Sequence, residues 1–565
     1  MPATRNLTVS TPLGDDVLLL RGMTAQEELG RLFRFDLDLL SEDASIKMED
    51  ILGQNCTVHL ELPDGKVRHF NGVVSRFSQV GTAGRYTAYE ATLRPWLWFL
   101  TRTADCRIFQ EMTTPDIIKE VFRDANLTDF DESLSGTYRT WEYCVQYRET
   151  TFNFVSRLME QAGIYYYFKH DDGQHTLVLS DSYSSHEPIV GDPVPYFPPA
   201  AAPHDDRDHV FDWNISKEVQ PGSFVHDDFD FEKPKAELEA NSTIPREHEL
   251  AKGEIYDYPG EYVESSDGSD YAKRRIEELH VGYEQVEGEG NARGMIVGGL
   301  FTLEGYPRED QNREYLLVAA TYEMRADEYE STDLPAAEAQ FTCSFRAIEA
   351  KQQFRPARVT PKPVVQGPQT AVVVGPSGEE IWTDKYGRVK VQFHWDRYGK
   401  ADENSSCWMR VAQVWAGKQW GAMHIPRITQ EVIVEFLEGD PDRPIITGRV
   451  YNGDNMPPYE LPANKTQSGI KSRSSKGGSA DNFNEIRMED KKGEEELYLH
   501  AEKNETHVVE NDRSDSVGHD ETISIGNDRT EDVGHDEKIT IGNDRTEAVG
   551  NNENITVGVD RTENV

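Results

Sequence analysis

Ile523-Ser524-Ile525-Gly526-Asn527-Asp528-Arg529-Thr530-Glu531-Asp532-Val533-Gly534 returns sixteen residues later, barely changed, as Ile539-Thr540-Ile541-Gly542-Asn543-Asp544-Arg545-Thr546-Glu547-Ala548-Val549-Gly550. A repeat of this kind decides the architecture before any single motif is weighed. Extended in both directions, it places Val509, Val517, Ile525, Val533, Ile541, Val549, Val557 and Val565 at intervals of eight without a slip. Gly518, Gly526, Gly534, Gly542, Gly550 and Gly558 each follow an anchor. An acid or amide comes three positions after each anchor from Val509 to Val557, as at Asp512, Asp520 and Asn552. Ile523, Ile539 and Ile555 precede alternate anchors by two positions, which superimposes the sixteen-residue period.

A helix is disfavoured, because recurrent Gly costs about 1 kcal/mol at each position and β-branched anchors add to that. A coiled coil needs apolar spacing near 3.5. Ile523-Ser524-Ile525 and its two counterparts alternate with period two, as strands do, and Gly offers the backbone freedom for a corner. Each octad is therefore expected to be a short strand and a bend. Eight residues span at most about 26 Å, one side of a prism, and one octad cannot bury its valine alone. The predicted solution is an intertwined homotrimer: a triangular β-helix with the eight anchors on its axis and the six glycines at its corners. It rises roughly 5 Å per octad, so seven octads give a rod of roughly 35 Å. A disordered acidic tail needs no such register, and a calcium-binding roll needs a nonapeptide with paired glycines.

Val-Gly at octad spacing resembles the VgrG family, the valine-glycine repeat spikes of bacterial type VI secretion, and the hub and spike of contractile phage tails. Two further stretches carry the resemblance. Thr150 to Gly163, followed by Ile164-Tyr165-Tyr166-Tyr167-Phe168, resembles the VgrG head. Asp384-Lys385-Tyr386-Gly387-Arg388-Val389-Lys390-Val391 and Gly439-Asp440-Pro441-Asp442-Arg443-Pro444 resemble the VgrG barrel. The resemblance implies a trimeric spike that caps the secretion tube and pierces the target membrane mechanically as a sheath contracts. Its implied partners are an Hcp-like tube protein at the head, a PAAR-type tip at the rod end, and toxic effectors with their adaptors.

The expected fold is mainly β and multidomain. Residues 1–365 are read as a tail-hub-like head, two β-rich barrel subdomains plus helices. Residues 366–452 are read as an OB-fold barrel, 453–483 as a loop linker and 484–565 as the spike. In the head, Phe33 to Leu39, Cys56 to Leu62 and Tyr86 to Leu93 alternate as strands, with Pro63-Asp64-Gly65 as a turn. Phe229-Asp230-Phe231 and Met295-Ile296-Val297 are also read as strands. Trp96, Trp98 and Phe99 suit a buried seam better than a ligand shelf. Thr113-Thr114-Pro115 opens one helix, Thr150 caps a second, and Tyr271 to Gly282 reads as a third. Five apolar runs between Thr370 and Asn452 suit a closed barrel. Its Trp395, Trp408, Trp415 and Trp420 fit core and trimer contact better than base stacking, which requires a basic groove.

Composition narrows function. A net charge of −42 argues against nucleic acid and anionic membrane surfaces as partners. The apolar fraction of 37% and mean hydropathy of −0.67 suit exposed strand and rod. Five scattered cysteines with no C-x-x-C pair fit a reducing cytoplasm. No apolar signal core opens the chain, so export by a signal-independent route such as type VI secretion is expected. No H-E-x-x-H, P-loop or G-x-S-x-G pattern occurs. His170-Asp171-Asp172 reads as a hairpin turn rather than a metal site, and the histidines of His519-Asp520 and His535-Asp536 read as solvated. No catalytic, cofactor or metal residue is expected. A phage-like spike hydrolase acting on the cell wall is the alternative, with a trimeric adhesin behind it. Val565 falls on an anchor in phase, and solenoids usually end in an atypical cap. A continuation of the chain or a covering partner is therefore expected at that end.

Overall fold

The computed structural model describes residues 7–201, 207–326 and 340–564. They fall into two compact units: the described residues up to 467 with 473–479, and residues 468–472 with 480–564.

The first unit is built on one sheet. Strands β1 (Leu7–Ser10), β2 (Leu19–Glu28), β3 (Arg34–Ser41), β4 (Asn55–Glu61), β5 (Val67–Ala83) and β6 (Tyr86–Arg94) assemble in the order β1-β4-β5-β6-β3-β2. The sheet then continues through Glu314–Arg325, Gln340–Glu349, Glu284–Gly290 and Val210–Lys217. The two halves read as separate barrels thus share one hydrogen-bonded sheet, joined where β2 pairs antiparallel with Glu314–Arg325. Alternation fixes which face is covered. Phe35, Leu37 and Leu39 of β3 are almost wholly buried, while Arg34 is exposed.

Three α-helices are present among the described residues: α1 (Thr114–Asp124), α2 (Thr151–Ala162) and α3 (Ser265–His280). Thr113 caps α1 by accepting from Asp116 N, and Ile117, Ile118, Val121 and Phe122 face inward. Thr150 caps α2 through Asn153 N, and Gly163 ends it at φ +69°, where a Cβ would be strained. Helix α3 starts at Ser265, six residues before the apolar stripe that betrays it. Trp96 and Leu97 are buried in the main core on the 3-10 turn Trp96–Arg102, whereas Trp98 and Phe99, read with Trp96 as a buried seam, are only half-buried. Two strand readings fail. Phe229-Asp230-Phe231 is irregular, and Met295-Ile296-Val297 lies in a loop before the strand Gly299–Glu304.

The barrel occupies the same unit. Lys390–Phe393, Gln369–Val374, Glu431–Phe436 and Pro444–Val450 pair in that order. The run from Trp408 is not a regular strand, yet it closes the ring. Met409 exchanges backbone hydrogen bonds with Val389 at 2.8 and 3.1 Å. On its other side, Arg410 O accepts from Ile446 N and Ala412 N donates to Ile446 O. Head residues Tyr143 and Val145 pack into the barrel core beside Val391, Phe393 and Val434.

In the second unit, Gln467–Lys471, Glu485–Glu489 and Glu496–His500 form a three-stranded sheet. Its first strand lies inside the stretch read as a loop linker. A single isoleucine among Gln, Ser, Gly and Lys hides it from any periodicity.

Candidate functional site

The octads adopt the expected rhythm without forming a ladder of their own. From residue 501 to 564 no strand pairing occurs within the chain. The backbone bends at Gly518–His519, Gly526–Asn527, Gly534–His535, Gly542–Asn543, Gly550–Asn551 and Gly558–Val559. The anchors Val509, Val517, Ile525, Val533, Ile541, Val549 and Val557 are 47–55% exposed. Val565 lies outside the described residues. Ile523, Ile539 and Ile555 are equally open, whereas valines and isoleucines of the head and barrel cores are buried to a few per cent.

The glycines correct one expectation. None of the six sits at positive φ. Glu510–Asn511 makes the same bend with no glycine at all. A Cβ at each of the six would meet nothing within 4 Å. Neither backbone freedom nor crowding inside one chain therefore calls for glycine at these corners. The sixteen-residue period has a physical trace in four ion pairs: Arg513–Asp515, Arg529–Glu531, Arg545–Glu547 and Arg561–Glu563. His519 and His535 are solvent-facing beside Asp520 and Asp536.

Upstream in the same unit, Ile486 pairs with Leu499 and Met488 with Leu497 across the sheet. With Ile470 they leave an uncovered apolar face. It resembles one slice of a core, and one chain supplies only that slice.

The first unit shows how head and barrel are held. Lys362, between Pro361 and Pro363, reaches Glu261 at 3.2 Å, Asp440 at 2.8 Å and Asp442 at 2.9 Å. Asp442 also accepts from Val145 N at 2.6 Å, and Arg443 pairs with Asp228 at 3.0 Å. One cation facing three acids leaves an excess of negative charge. Burial, with Asp442 and Glu261 adding, pushes Asp440 up to about 6. Burial also pushes on Glu261, but Lys362 and the Gln161 amide outweigh it and hold that carboxyl at about 2. Two acids with separated pKa values suit acid–base chemistry in principle. Here the Lys362 ammonium lies in bonding contact with both, so the cluster is a clamp. The Asp440-Pro441-Asp442 stretch was visible in the sequence. Lys362 was not, although a lone cation between two prolines at a domain boundary was the available signal.

Glu160 of α2 pins the following segment by accepting from Val359 N at 3.0 Å and Thr360 N at 2.9 Å. Arg355 bonds Glu277 and the carbonyls of Gly163 and Asp181.

The four barrel tryptophans separate into two kinds. Trp395 packs on Phe393 and donates to Gln369, and Trp408 stacks near Trp382. Trp415 and Trp420 are not core. They face each other on the hairpin Trp415–Gly417/Trp420–Ala422 and are 63% and 58% exposed. Gly417 allows that fold-back, because a Cβ there would lie 2.3 Å from the Trp420 ring.

Comparison with known proteins gives three family matches along the chain. The phage tail baseplate hub family matches residues 26–328. The type VI secretion system/phage-baseplate injector OB domain matches 379–451. The bacteriophage T4 gp5 C-terminal trimerisation domain matches 468–565. The type VI secretion system spike protein VgrG1a of Pseudomonas aeruginosa is 59% identical over 92% of this chain and 81% of its own length. The actin cross-linking toxin VgrG1 of Vibrio cholerae is 33% identical over 90% of this chain and 47% of its own. Among solved structures, an E. coli type VI secretion component, described as similar to T4 tail proteins gp27 and gp5, superposes with a TM-score of 0.56 at 20% identity. It covers 78% of this chain and 100% of that one, a likeness of fold. With its hub-like sheet, its OB barrel and its octads, the chain belongs to the VgrG family of type VI secretion spike proteins.

Proposed function

We propose that three copies intertwine from about residue 468 onward, bringing Val509, Val517, Ile525, Val533, Ile541, Val549, Val557 and Val565 onto a common axis. The carrying observation is the regular half-exposure of the anchors in a chain that buries the same residue types elsewhere. Isolated apolar surface residues are ordinary, but a row at fixed period is not. On this reading Gly518, Gly526, Gly534, Gly542, Gly550 and Gly558 are small because a neighbouring copy crosses there. Trp415 and Trp420 meet the barrel of the next copy. The domain reading is then head 1–365, barrel 366–452, a shortened linker, and a rod that starts at about 468.

The trimer caps the tube of an Hcp-like protein with its heads and carries a PAAR-type tip at the far end of the rod. Effectors and their adaptors ride with it, and it pierces the target envelope by force. It is made in the cytoplasm and exported by type VI secretion. The role is mechanical, and the acids Glu261, Asp440, Asp442 and Asp228 between head and barrel serve as partners of Lys362 and Arg443. The toxin activity named for the Vibrio relative is that protein's, and this chain covers less than half of it.

Light scattering on the full chain and on a truncation ending at Glu505 tests the proposal. A full-length trimer that weakens on truncation is expected, and a full-length monomer overturns it.

A further inference from the structure

A second cluster lies on the head sheet. His59 of β4 and His69 of β5 are direct cross-strand partners. Their Nδ1 atoms are 3.1 Å apart, with the rings nearly perpendicular. The exposed Asp172 approaches them from the turn between the strands Tyr165–Asp171 and Gln174–Ser180, its Oδ1 3.9 Å from His59 Nε2. One donor atom from each of His59, His69 and Asp172 lies within 4.8 Å of the others.

The turn does not hang over the pair by chance. Gly173 N donates to Thr57 Oγ1 at 3.0 Å, and Asn55 Nδ2 donates to Gly173 O at 3.0 Å. Both partners sit on β4, two and four residues from His59. Asn71 Nδ2 in turn donates to Thr57 Oγ1 at 2.8 Å, which fixes that hydroxyl. Asp172 is thus delivered to the histidine pair by a pinned loop. Ser10 Oγ lies 2.8 Å from His59 Nε2, the ring nitrogen that Asp172 also approaches. A ring whose Nδ1 faces a common point while its Nε2 bonds a hydroxyl has the oriented form of a metal ligand. Two imidazole nitrogens sharing a tetrahedral Zn²⁺ at about 2.0–2.1 Å stand roughly 3.3 Å apart. The observed pair is close to that separation before any ion is added.

We propose that His59, His69 and Asp172 bind one borderline divalent cation of the Zn²⁺ class per chain, with water completing the shell. Two imidazoles and one carboxylate are the donor set such ions take, and Ca²⁺ or Mg²⁺ would want more oxygen. The ion staples the Asp171–Gln174 turn to the β4–β5 hairpin, so its role is to stiffen the head.

The test is Zn²⁺ titration of the chelator-stripped full chain by calorimetry, with bound metal counted by mass spectrometry and the thermal midpoint followed. Wild type should bind one tight Zn²⁺ per chain and melt higher with it. His69→Gln should lose that equivalent and the shift, and Asp172→Asn should weaken it at least tenfold. Weak binding by the acidic rod is common to all three proteins and cancels. If His69→Gln fails to fold, Asp172→Asn decides, since its side chain is exposed. Absence of a tight equivalent in wild type, or one unchanged in Asp172→Asn, overturns the site.

Discussion

Val533→Asp separates an axial anchor from a surface valine. In one chain Val533 is 48% exposed. Covering the rest of it contributes about 1 kcal/mol per chain, which the substitution removes. Charge weighs more heavily. Three carboxylates at one level of a threefold axis, about 6 Å apart with an effective dielectric near 20, repel by roughly 3 kcal/mol per pair. That is roughly 8 kcal/mol over three pairs, with several kcal/mol of desolvation for each added. The acids escape by taking up protons, so their pKa rises in the trimer. A group with a raised pKa in the assembled state favours assembly at low pH and opposes it as pH rises. Light scattering across a dilution series should show the variant dissociating at pH 7 and partly recovering near pH 4, while the head keeps its own melting transition. Thr530→Asp adds the same charge off the anchor row and should stay trimeric. An unchanged trimer in Val533→Asp at pH 7 would refute the axial placement.

Lys362→Met leaves Glu261, Asp440 and Asp442 facing one another and should cost about 3–5 kcal/mol in a denaturant melt of the first unit; a loss under 1 kcal/mol would show that the clamp is redundant. Asp440, raised from 3.8 to about 6, should withdraw stability as pH climbs from about 4 to about 6, because the folded state holds the proton more tightly. Asp440→Asn should therefore gain on wild type in thermal midpoint at pH 7 and lose that advantage toward pH 4, and a gap constant with pH would contradict the burial argument. Glu261 acts in the opposite sense, with its contribution lost as pH falls from 4.5 toward 2. Gly534→Ala should leave one chain's conformation undisturbed yet raise the concentration at which the trimer dissociates. Equal dissociation curves would mean that no neighbouring chain passes that corner.

Where a local rule governs, the sequence was readable. Thr150 and Gly163 bracket α2 because a cap oxygen and a left-handed stop are demands of the helix itself. The octads were legible because period needs no tertiary context. Phe229-Asp230-Phe231 misled because alternation over three residues describes many loops, and here buried Asp228 is tied to Arg443 rather than to a ladder. Trp408 and Trp415 belong to one apolar run, yet one is half-buried and the other projects on a hairpin that glycines at 417 and 421 permit. The His59–His69 pair was within reach, since a hairpin centred on Asp64 sets residues 59 and 69 opposite each other. Asp172 was not, because only the packing of a second hairpin across the sheet delivers it.

The ion pairs Arg513–Asp515, Arg529–Glu531, Arg545–Glu547 and Arg561–Glu563 give the rod a built-in ruler. Duplicating or deleting sixteen residues of gene keeps every anchor, corner and ion pair in phase. A change of eight keeps the anchors but exchanges isoleucine-bearing octads for acid-bearing ones, and any other number breaks the register. Heritable variation in length is thus quantised in steps of roughly 10 Å. Each step brings its own share of core, so natural selection can tune the reach of the rod without redesigning it.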